Sequence, residues 1–140
     1  MALNERFIAD TSALSRMKAP TVAAVLGPLV ASGEVATCAM VEMEVLFSAQ
    51  GANDLERTLV RRQAAFRWIP IEQRDFDRAI EVMAALARRN QHRSAKIPDL
   101  VTAAVAERAG LAVMHYDEDF DRISAVTGQP VCWVVPRGSV

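Results

Sequence analysis

Residues 97–117, IPDLVTAAVAERAGLAVMHYD, predict one helix followed by one strand. Pro98 is typical of the first turn of a helix and Gly110 of a helix end, so the apolar run between them is predicted to be helical to about Ala109. Residues 112–115 form a short apolar run of the strand type. The unit ends with a carboxylate just beyond the strand. This helix–strand succession indicates an α/β protein.

The same alternation recurs along the rest of the chain. Strands are predicted over residues 7–9, 35–38, 66–71, 112–115 and 131–135, and helices over residues 20–30, 40–49, 54–65, 74–89, 98–109 and 118–123. Strands separated by helices favour parallel pairing, with helices on both faces of the sheet. We therefore predict a single domain over residues 1–140. Its expected architecture is a three-layer α/β/α sandwich with a mainly parallel central sheet.

The composition is that of an ordinary globular domain. Of 140 residues, 51% are hydrophobic and 24% are charged, which is enough apolar material for one core without disulfides. Cys38 and Cys132 lie in apolar stretches, so we expect both to be buried and reduced, as in a cytoplasmic protein. No signal peptide is expected at the N-terminus, and no apolar run approaches the roughly 20 residues that span a membrane. The net charge of −1 argues against a general attraction to nucleic acid, so RNA binding would depend on local arginines and metal ions.

Three acidic residues lie at the ends or starts of predicted elements. Asp10 follows the strand 7–9, Asp117 lies just beyond the strand 112–115, and Asp99 opens the helix 98–109. Ligands of open α/β sheets gather beyond the carboxyl ends of the strands, so these carboxylates are candidates for one site. Helix capping, worth roughly 0.5–2 kcal/mol, is the alternative for Asp99 and Asp117. Asp10 is harder to explain in that way, because a carboxylate that ends an apolar strand is poorly solvated unless it faces a site.

A fourth acid is predicted in the helix 40–49, where the periodicity does not choose between Glu42 and Glu44. Both have mainly apolar neighbours at helical spacing, where an unpaired carboxylate is unfavourable. Several carboxylates in one pocket raise one another's pKa unless a cation joins them. Mg²⁺ prefers oxygen ligands, shares substrate phosphates and can activate water. A site of this kind would supply a nuclease mechanism that needs no covalent nucleophile.

Four blocks of the sequence resemble the motifs of PIN-domain nucleases, particularly the VapC-type toxins of bacterial toxin–antitoxin pairs. They are residues 10–14 (DTSAL), 37–49 (TCAMVEMEVLFSA), 92–104 (HRSAKIPDLVTAA) and 111–123 (LAVMHYDEDFDRI). Their order and spacing match the family over essentially the whole chain. In the second motif of the family the acid precedes an aliphatic pair, here Val45 and Leu46. The resemblance therefore selects Glu44 over Glu42.

The resemblance implies an endoribonuclease toxin that depends on Mg²⁺, or on Mn²⁺, and cuts structured RNA such as tRNA or rRNA by metal-activated water. It assigns catalysis and metal binding to Asp10, Glu44, Asp99 and Asp117, and it adds Asp119 as a metal ligand at the same site. It also implies a homodimer that is inhibited by a cognate VapB-type antitoxin. In family members the antitoxin tail often places a residue into or over the acidic pocket.

Further polar residues lie beside the predicted acids. Thr11 and Ser12 follow the first acid, and either hydroxyl could orient a metal-bound water or cap the next helix. Arg93 precedes the acid of the third block, where it is either an RNA-phosphate ligand or a solvated arginine. His92 and His115 are expected to be structural or peripheral, because metal-bound water would do the acid–base work.

Two other functions compete with the ribonuclease interpretation. A receiver-type signalling domain also holds Mg²⁺ with acids at strand ends, but it requires a lysine at the end of a late strand, where neither Lys18 nor Lys96 lies. A catalytically inactive PIN-like module that only binds a partner is the second alternative. The presence of all four acids counts against it.

Overall fold

The computed structural model describes residues 5–140, and within this range the chain forms five strands and seven helices. The strands are β1 (Phe7–Ala9), β2 (Val35–Cys38), β3 (Trp68–Ile69), β4 (Ala112–His115) and β5 (Val131–Trp133). The helices are α1 (Thr11–Leu14), α2 (Pro20–Ala31), α3 (Ala39–Phe47), α4 (Ala52–Ala65), α5 (Gln73–Ala87), α6 (Ile97–Ala109) and α7 (Asp119–Thr127). Among these helices, none combines the length and the apolar character needed to cross a bilayer.

The five strands form one parallel sheet in the order β3-β2-β1-β4-β5. The central strand β1 pairs Ile8 with Ala36 of β2 on one side and with Val113 of β4 on the other. The prediction of an α/β/α sandwich is therefore confirmed, with every strand pair parallel. A receiver-type domain has the order 2-1-3-4-5, so this topology disagrees with the signalling alternative.

Two hydrophobic cores lie on opposite faces of the sheet, because successive side chains of a strand point to opposite sides. Ile8 and Val113 belong to the core that α5, α6 and α7 cover. Their neighbours Ala9 and Met114 belong to the second core, which α2 covers. Full burial of each large aliphatic side chain contributes roughly 1.5–3 kcal/mol. Helices packed on both faces therefore fix the carboxyl ends of the strands, where the acidic residues lie.

The structure corrects several predicted details. The sequence prediction missed α1, since four residues carry no helical periodicity; Asp10 caps it by accepting a hydrogen bond from the Ser12 N–H at 2.9 Å. The predicted strand 66–71 shrinks to two residues, since Pro70 has no N–H to donate to a ladder. The last predicted strand ends at 133 instead of 135. Helix α7 continues to Thr127, before a left-handed Gly128.

Two expectations concern the cysteines and the N-terminus. Both cysteines are free, but only Cys38 is buried and Cys132 is partly exposed, so the expected burial holds for one of the two. Residues 1–4, which the predicted domain includes and where no signal peptide is expected, lie outside the described residues.

Candidate active site

The acidic residues meet at the carboxyl ends of β1 and β4. Asp10 follows β1 directly, Asp117 lies two residues beyond β4, and these strands are neighbours in the sheet. The chain order reverses at this point of the sheet, which is where open α/β folds bind ligands. Helix α3 adds Glu44 and the first turn of α6 adds Asp99. Together they border a hollow of about 220 Å³, lined by Asp10, Thr11, Ser12, Ser15, Glu44, Lys96, Asp99 and Asp117.

The carboxylates form two groups that share Asp99. One oxygen from each of Asp10, Glu44 and Asp99 lies within 4.8 Å of the others, and the same holds for Asp99, Asp117 and Asp119. In the first group, Asp10 Oδ1 and Asp99 Oδ2 are buried without a hydrogen-bond partner. Buried polar atoms nearly always have a partner, and here the protein supplies none to these two oxygens. A hard divalent cation such as Mg²⁺, which prefers oxygen ligands, fits this donor set.

The protonation of these carboxyls reflects their environment. Burial, followed by the proximity of Asp10, raises the pKa of Asp99 to about 8. Burial also raises the pKa of Asp10, and burial together with the charge of Asp10 raises the pKa of Glu44. A bound cation would favour the ionised forms, because a carboxylate binds a metal only after losing its proton.

Helix α3 separates the roles of its two glutamates. Glu44 is partly exposed, lines the acidic hollow and accepts a hydrogen bond from Thr11 Oγ1 at 3.2 Å. Glu42 is fully buried, forms an ion pair with the Arg62 guanidinium and accepts a hydrogen bond from Thr37 Oγ1 at 2.5 Å. Side chains two positions apart on a helix point in nearly opposite directions, so only one can face the hollow. The structure places Glu44 there, while its role in catalysis stays a prediction.

The capping alternatives apply unequally to Asp99 and Asp117. Lys96 is the N-cap of α6, and Asp99 lies three residues later with no hydrogen bond to its Oδ2, so capping does not account for Asp99. Asp117 Oδ1 accepts the N–H of Asp119 at 3.0 Å, as a helix-start residue does, whereas its Oδ2 accepts a hydrogen bond from Lys96 Nζ at 3.0 Å. Burial opposes ionisation of Asp117, but these two hydrogen bonds outweigh it and lower its pKa.

Lys96 is a member of the site that the sequence analysis missed. Its Nζ lies 3.0 Å from Asp117 Oδ2, 3.1 Å from Asp119 Oδ2 and 3.8 Å from Asp99 Oδ2. The hydrogen bond to Asp117 is the main cause of its raised pKa. The sequence did contain a signal for Lys96: it lies three residues before Asp99 at the start of a helix, and residues at that spacing lie on one face. The other Asp119 oxygen accepts a hydrogen bond from Arg122 Nη1 at 2.9 Å, so both of its oxygens are paired.

The two hydroxyls beside Asp10 both bond to protein groups. Ser12 Oγ accepts the backbone N–H of Tyr116 at 2.9 Å, and Thr11 contacts Glu44 as described above. Ser12 thus links the segment after β1 to the segment after β4. Arg16, also missed, donates to the Ser12 carbonyl at 2.6 Å, and its guanidinium lies 4.3 Å from the centroid of the Tyr116 ring. These contacts hold the two acid-bearing segments together.

The remaining predicted residues lie outside the carboxylate groups. Arg93 and His92 are exposed in the turn between α5 and α6. His115 is fully buried, where its Nδ1 accepts the Asp117 N–H at 3.1 Å and burial lowers its pKa. Its ring packs against Phe120. This environment is that of a structural residue that positions the Asp117 segment.

An apolar groove of about 550 Å³ adjoins the acidic hollow. It shares Thr11, Ser15 and Glu44 with the hollow and runs along α1, α2, α3 and the end of α4. Its apolar wall consists of Leu14, Met17, Val30, Val45 and Phe66. An extended apolar segment in this groove would end beside the carboxylates.

Comparisons with known proteins agree with this geometry. Residues 7–126 match the PIN domain. Ribonuclease VapC21 of Mycobacterium tuberculosis (strain ATCC 25618 / H37Rv) is 41% identical over 137 residues, which cover 98% of this chain and 99% of that protein. VapBC2 from Rickettsia felis bound to a promoter DNA fragment has a similar fold, with a TM-score of 0.71, 12% identity, and coverage of 91% of this chain and 98% of that one. VapBC-5 from Mycobacterium tuberculosis, a member of the VapBC family of toxin–antitoxin systems, gives a TM-score of 0.61 at 22% identity, covering 93% and 98%. The chain therefore belongs to the PIN-domain family, among the VapC-type ribonucleases.

Proposed function

We propose that this protein is a metal-dependent endoribonuclease, the toxin of a toxin–antitoxin pair, which hydrolyses phosphodiester bonds in structured RNA such as tRNA or rRNA. The observation that carries the proposal is the convergence of Asp10, Glu44 and Asp99, two of which hold buried oxygens without partners. A relative 41% identical over nearly the whole chain is named a ribonuclease, which supports the same reaction class.

The first carboxylate group supplies the proposed metal ligands. Asp10, Glu44 and Asp99 would hold Mg²⁺ or Mn²⁺, with Asp117 and Asp119 beside them in the second group. When bound, such an ion supplies an activated water and stabilises the charge that develops on phosphate. That Asp117 and Asp119 also ligate metal stays a prediction, as does the single-domain extent of residues 1–140.

The neighbouring residues would keep the ligands in place before RNA binds. The Thr11 hydroxyl orients Glu44, and the Ser12 N–H holds one oxygen of Asp10. Because these hydrogen bonds exist in the resting protein, little reorganisation is needed when substrate arrives. We assign Thr11 and Ser12 a supporting role on this basis.

RNA would approach a chain whose net charge is −1, so local cations must provide the attraction. Lys96 lines the acidic hollow itself, Arg16 donates to the carbonyl of Ser12 beside it, and Arg93 is exposed near the start of α6. We keep Arg93 as a predicted RNA-phosphate contact. Folded RNA is recognised largely by its shape and exposed loops, and the choice of target would follow from the surface around this hollow.

The proposed partner is a VapB-type antitoxin, since the similar structures include VapBC complexes. The apolar groove is the surface that suits it, because a segment lying there would reach Glu44 at the edge of the acidic hollow. Val45→Arg places a charge on the groove wall. An antitoxin that inhibits the wild type should fail to inhibit this variant, whose RNA cleavage should persist; equal inhibition of both proteins would contradict this assignment.

A homodimer in the cytoplasm completes the proposal. Sedimentation of the purified chain should give the mass of two copies, and a monomer across the accessible concentration range would contradict the dimer.

Fractionation of producing cells should find the chain with cytoplasmic markers; recovery with the membrane or outside the cell would contradict the location.

Cleavage of total bacterial RNA tests the proposed function. Purified wild type, Asp10→Asn and the control Asp77→Asn should be compared with Mg²⁺ and with EDTA; Asp77 is an exposed carboxylate on α5. Discrete fragments that require both metal and Asp10, and that persist with the control, are the expected result. Absence of cleavage by folded, antitoxin-free wild type, with and without metal, would favour the inactive binding module instead.

A further inference from the structure

The two carboxylate groups that share Asp99 differ in how their oxygens are satisfied. In the second group, Asp117 Oδ2 and Asp119 Oδ2 accept hydrogen bonds from Lys96 Nζ, and Asp119 Oδ1 accepts one from Arg122. Asp117 Oδ1 accepts the Asp119 N–H. Every oxygen of these two aspartates therefore has a partner.

The first group lacks such compensation. Within residues 5–140, no basic side chain forms an ion pair with Asp10 or Glu44. Asp10 Oδ1 and Asp99 Oδ2, from residues only 2% and 4% exposed, have no hydrogen-bond partner. Asp99 has only the distant Lys96 ammonium, 3.8 Å from its Oδ2, so the uncompensated charges of the pocket are those of Asp10 and Glu44.

From this asymmetry we infer that the Lys96 ammonium takes the place of a second metal ion, so that the pocket binds a single divalent ion and Lys96 itself contacts the RNA phosphate. The inference rests on the proposed function; it replaces the predicted metal ligation by Asp117 and Asp119 with a single ion at Asp10, Glu44 and Asp99, and it adds a catalytic residue.

The local structure explains how Lys96 reaches this position. As the N-cap of α6 it has an extended backbone, and Asp99 follows three residues later in the first turn. This spacing puts both side chains on the same side of the helix start, with Nζ 3.8 Å from Asp99 Oδ2. Because Nζ also lies 3.0–3.1 Å from the two other aspartates, it contacts all three carboxylates that a second ion would need as ligands. A divalent ion there would be repelled by the ammonium at short range.

Lys96 can also reach a substrate. Its side chain is 65% exposed, although its amine contacts buried and partly buried carboxylates. A lysine ammonium has three N–H donors, so one remains for a phosphate oxygen after the hydrogen bonds to Asp117 and Asp119. In two-metal nucleases the second ion stabilises charge on the reacting phosphate, and a positioned ammonium supplies the same kind of stabilisation.

The test counts bound ions on metal-free, folded protein. Mn²⁺ should be titrated into wild type, Lys96→Gln, Lys96→Arg, Asp10→Asn and Lys18→Gln, with stoichiometry read by calorimetry and by the electron paramagnetic resonance signal of free Mn²⁺. Lys18 is the only other lysine of the chain and is exposed, so it provides the matched control. We expect one ion for wild type, Lys18→Gln and Lys96→Arg, two for Lys96→Gln, and loss of tight binding for Asp10→Asn.

The outcomes separate this inference from the proposed function. Two ions in the wild type, or a single ion in folded Lys96→Gln, would overturn the role of Lys96 and leave the metal-dependent ribonuclease intact. No ion in the wild type would overturn both. If Lys96→Gln fails to fold, a count of two ions in the wild type or in Lys96→Arg still overturns the role of Lys96.

RNA cleavage gives the second measurement. At an Mn²⁺ concentration that saturates the wild type, we expect Lys96→Gln to lower kcat by about 10²–10³-fold, the range observed when one stabilising donor is removed. Higher Mn²⁺ should restore part of the rate to Lys96→Gln as a second ion enters, with no such effect on Lys18→Gln. An unchanged kcat for Lys96→Gln would contradict a contact with the reacting phosphate.

Discussion

Replacement of Asp99 by Asn should abolish metal-dependent cleavage and at the same time stabilise the metal-free fold at neutral pH. The folded protein holds the Asp99 proton up to a pKa of about 8, whereas the reference value is 3.8. Between these pH values the folded state binds more protons than the unfolded state, so the free energy of unfolding falls as the pH rises. The stabilising effect of protonated Asp99 on the fold is complete below pH 3.8, and it is lost progressively as the pH rises to about 8.

The magnitude follows from the same difference. At pH 7 the unfavourable contribution of Asp99 reaches about 4 kcal/mol, since each pH unit between 3.8 and 7 is worth about 1.4 kcal/mol. Asn has nearly the same shape but no ionisable proton, so Asp99→Asn removes up to this amount. A gain of 1 kcal/mol raises Tm by about 2–4 °C in a chain of this size, so removal of the full amount would raise Tm by about 8–16 °C.

Thermal unfolding in EDTA at pH 5, 6, 7 and 8 provides the assay. The advantage of Asp99→Asn over the wild type should grow with pH across this range, while the exposed control Asp77→Asn should track the wild type. Added Mg²⁺ should raise the Tm of the wild type and leave that of Asp99→Asn unchanged, because only a native-state ligand stabilises the fold. A large drop in Tm for Asp99→Asn would refute the reasoning and support a capping role for Asp99.

Three further predictions concern residues around the site. Glu44→Gln should lose Mn²⁺ binding and RNA cleavage without lowering the urea midpoint of the metal-free protein, because burial and the charge of Asp10 raise the pKa of Glu44 and disfavour its ionised form; retained cleavage would exclude Glu44 as a ligand. Arg62→Ala should lower the free energy of unfolding in urea by about 3–5 kcal/mol, because it leaves Glu42 buried without its ion pair, and a loss below 1 kcal/mol would contradict this. Ser12→Ala should reduce kcat with a stability loss of only about 1 kcal/mol, since it removes one hydrogen bond to the Tyr116 N–H; a wild-type kcat would show that this link does not position the acids.

The choice between Glu42 and Glu44 shows where sequence reasoning reached its limit. Both glutamates have apolar neighbours at helical spacing, and the pattern alone treats them alike. What separates them is Arg62 of α4, twenty residues away in sequence, which pairs with Glu42. A contact between two helices has no signature in the periodicity of either helix, so only the resemblance to the family could select Glu44 in advance.

The sequence by itself determined the layer architecture, most element positions and the acids at strand ends. These features follow from short-range causes: apolar runs set the strands and helices, Pro98 and Gly110 mark the limits of α6, and a residue after a parallel strand must emerge at the carboxyl edge. The tertiary structure alone decided the strand order, the pairing of Lys96 with Asp117 and Asp119, and the division of the pocket into a compensated and an uncompensated half. Those features depend on distances between residues far apart in the chain, which are set only when both faces of the sheet are packed.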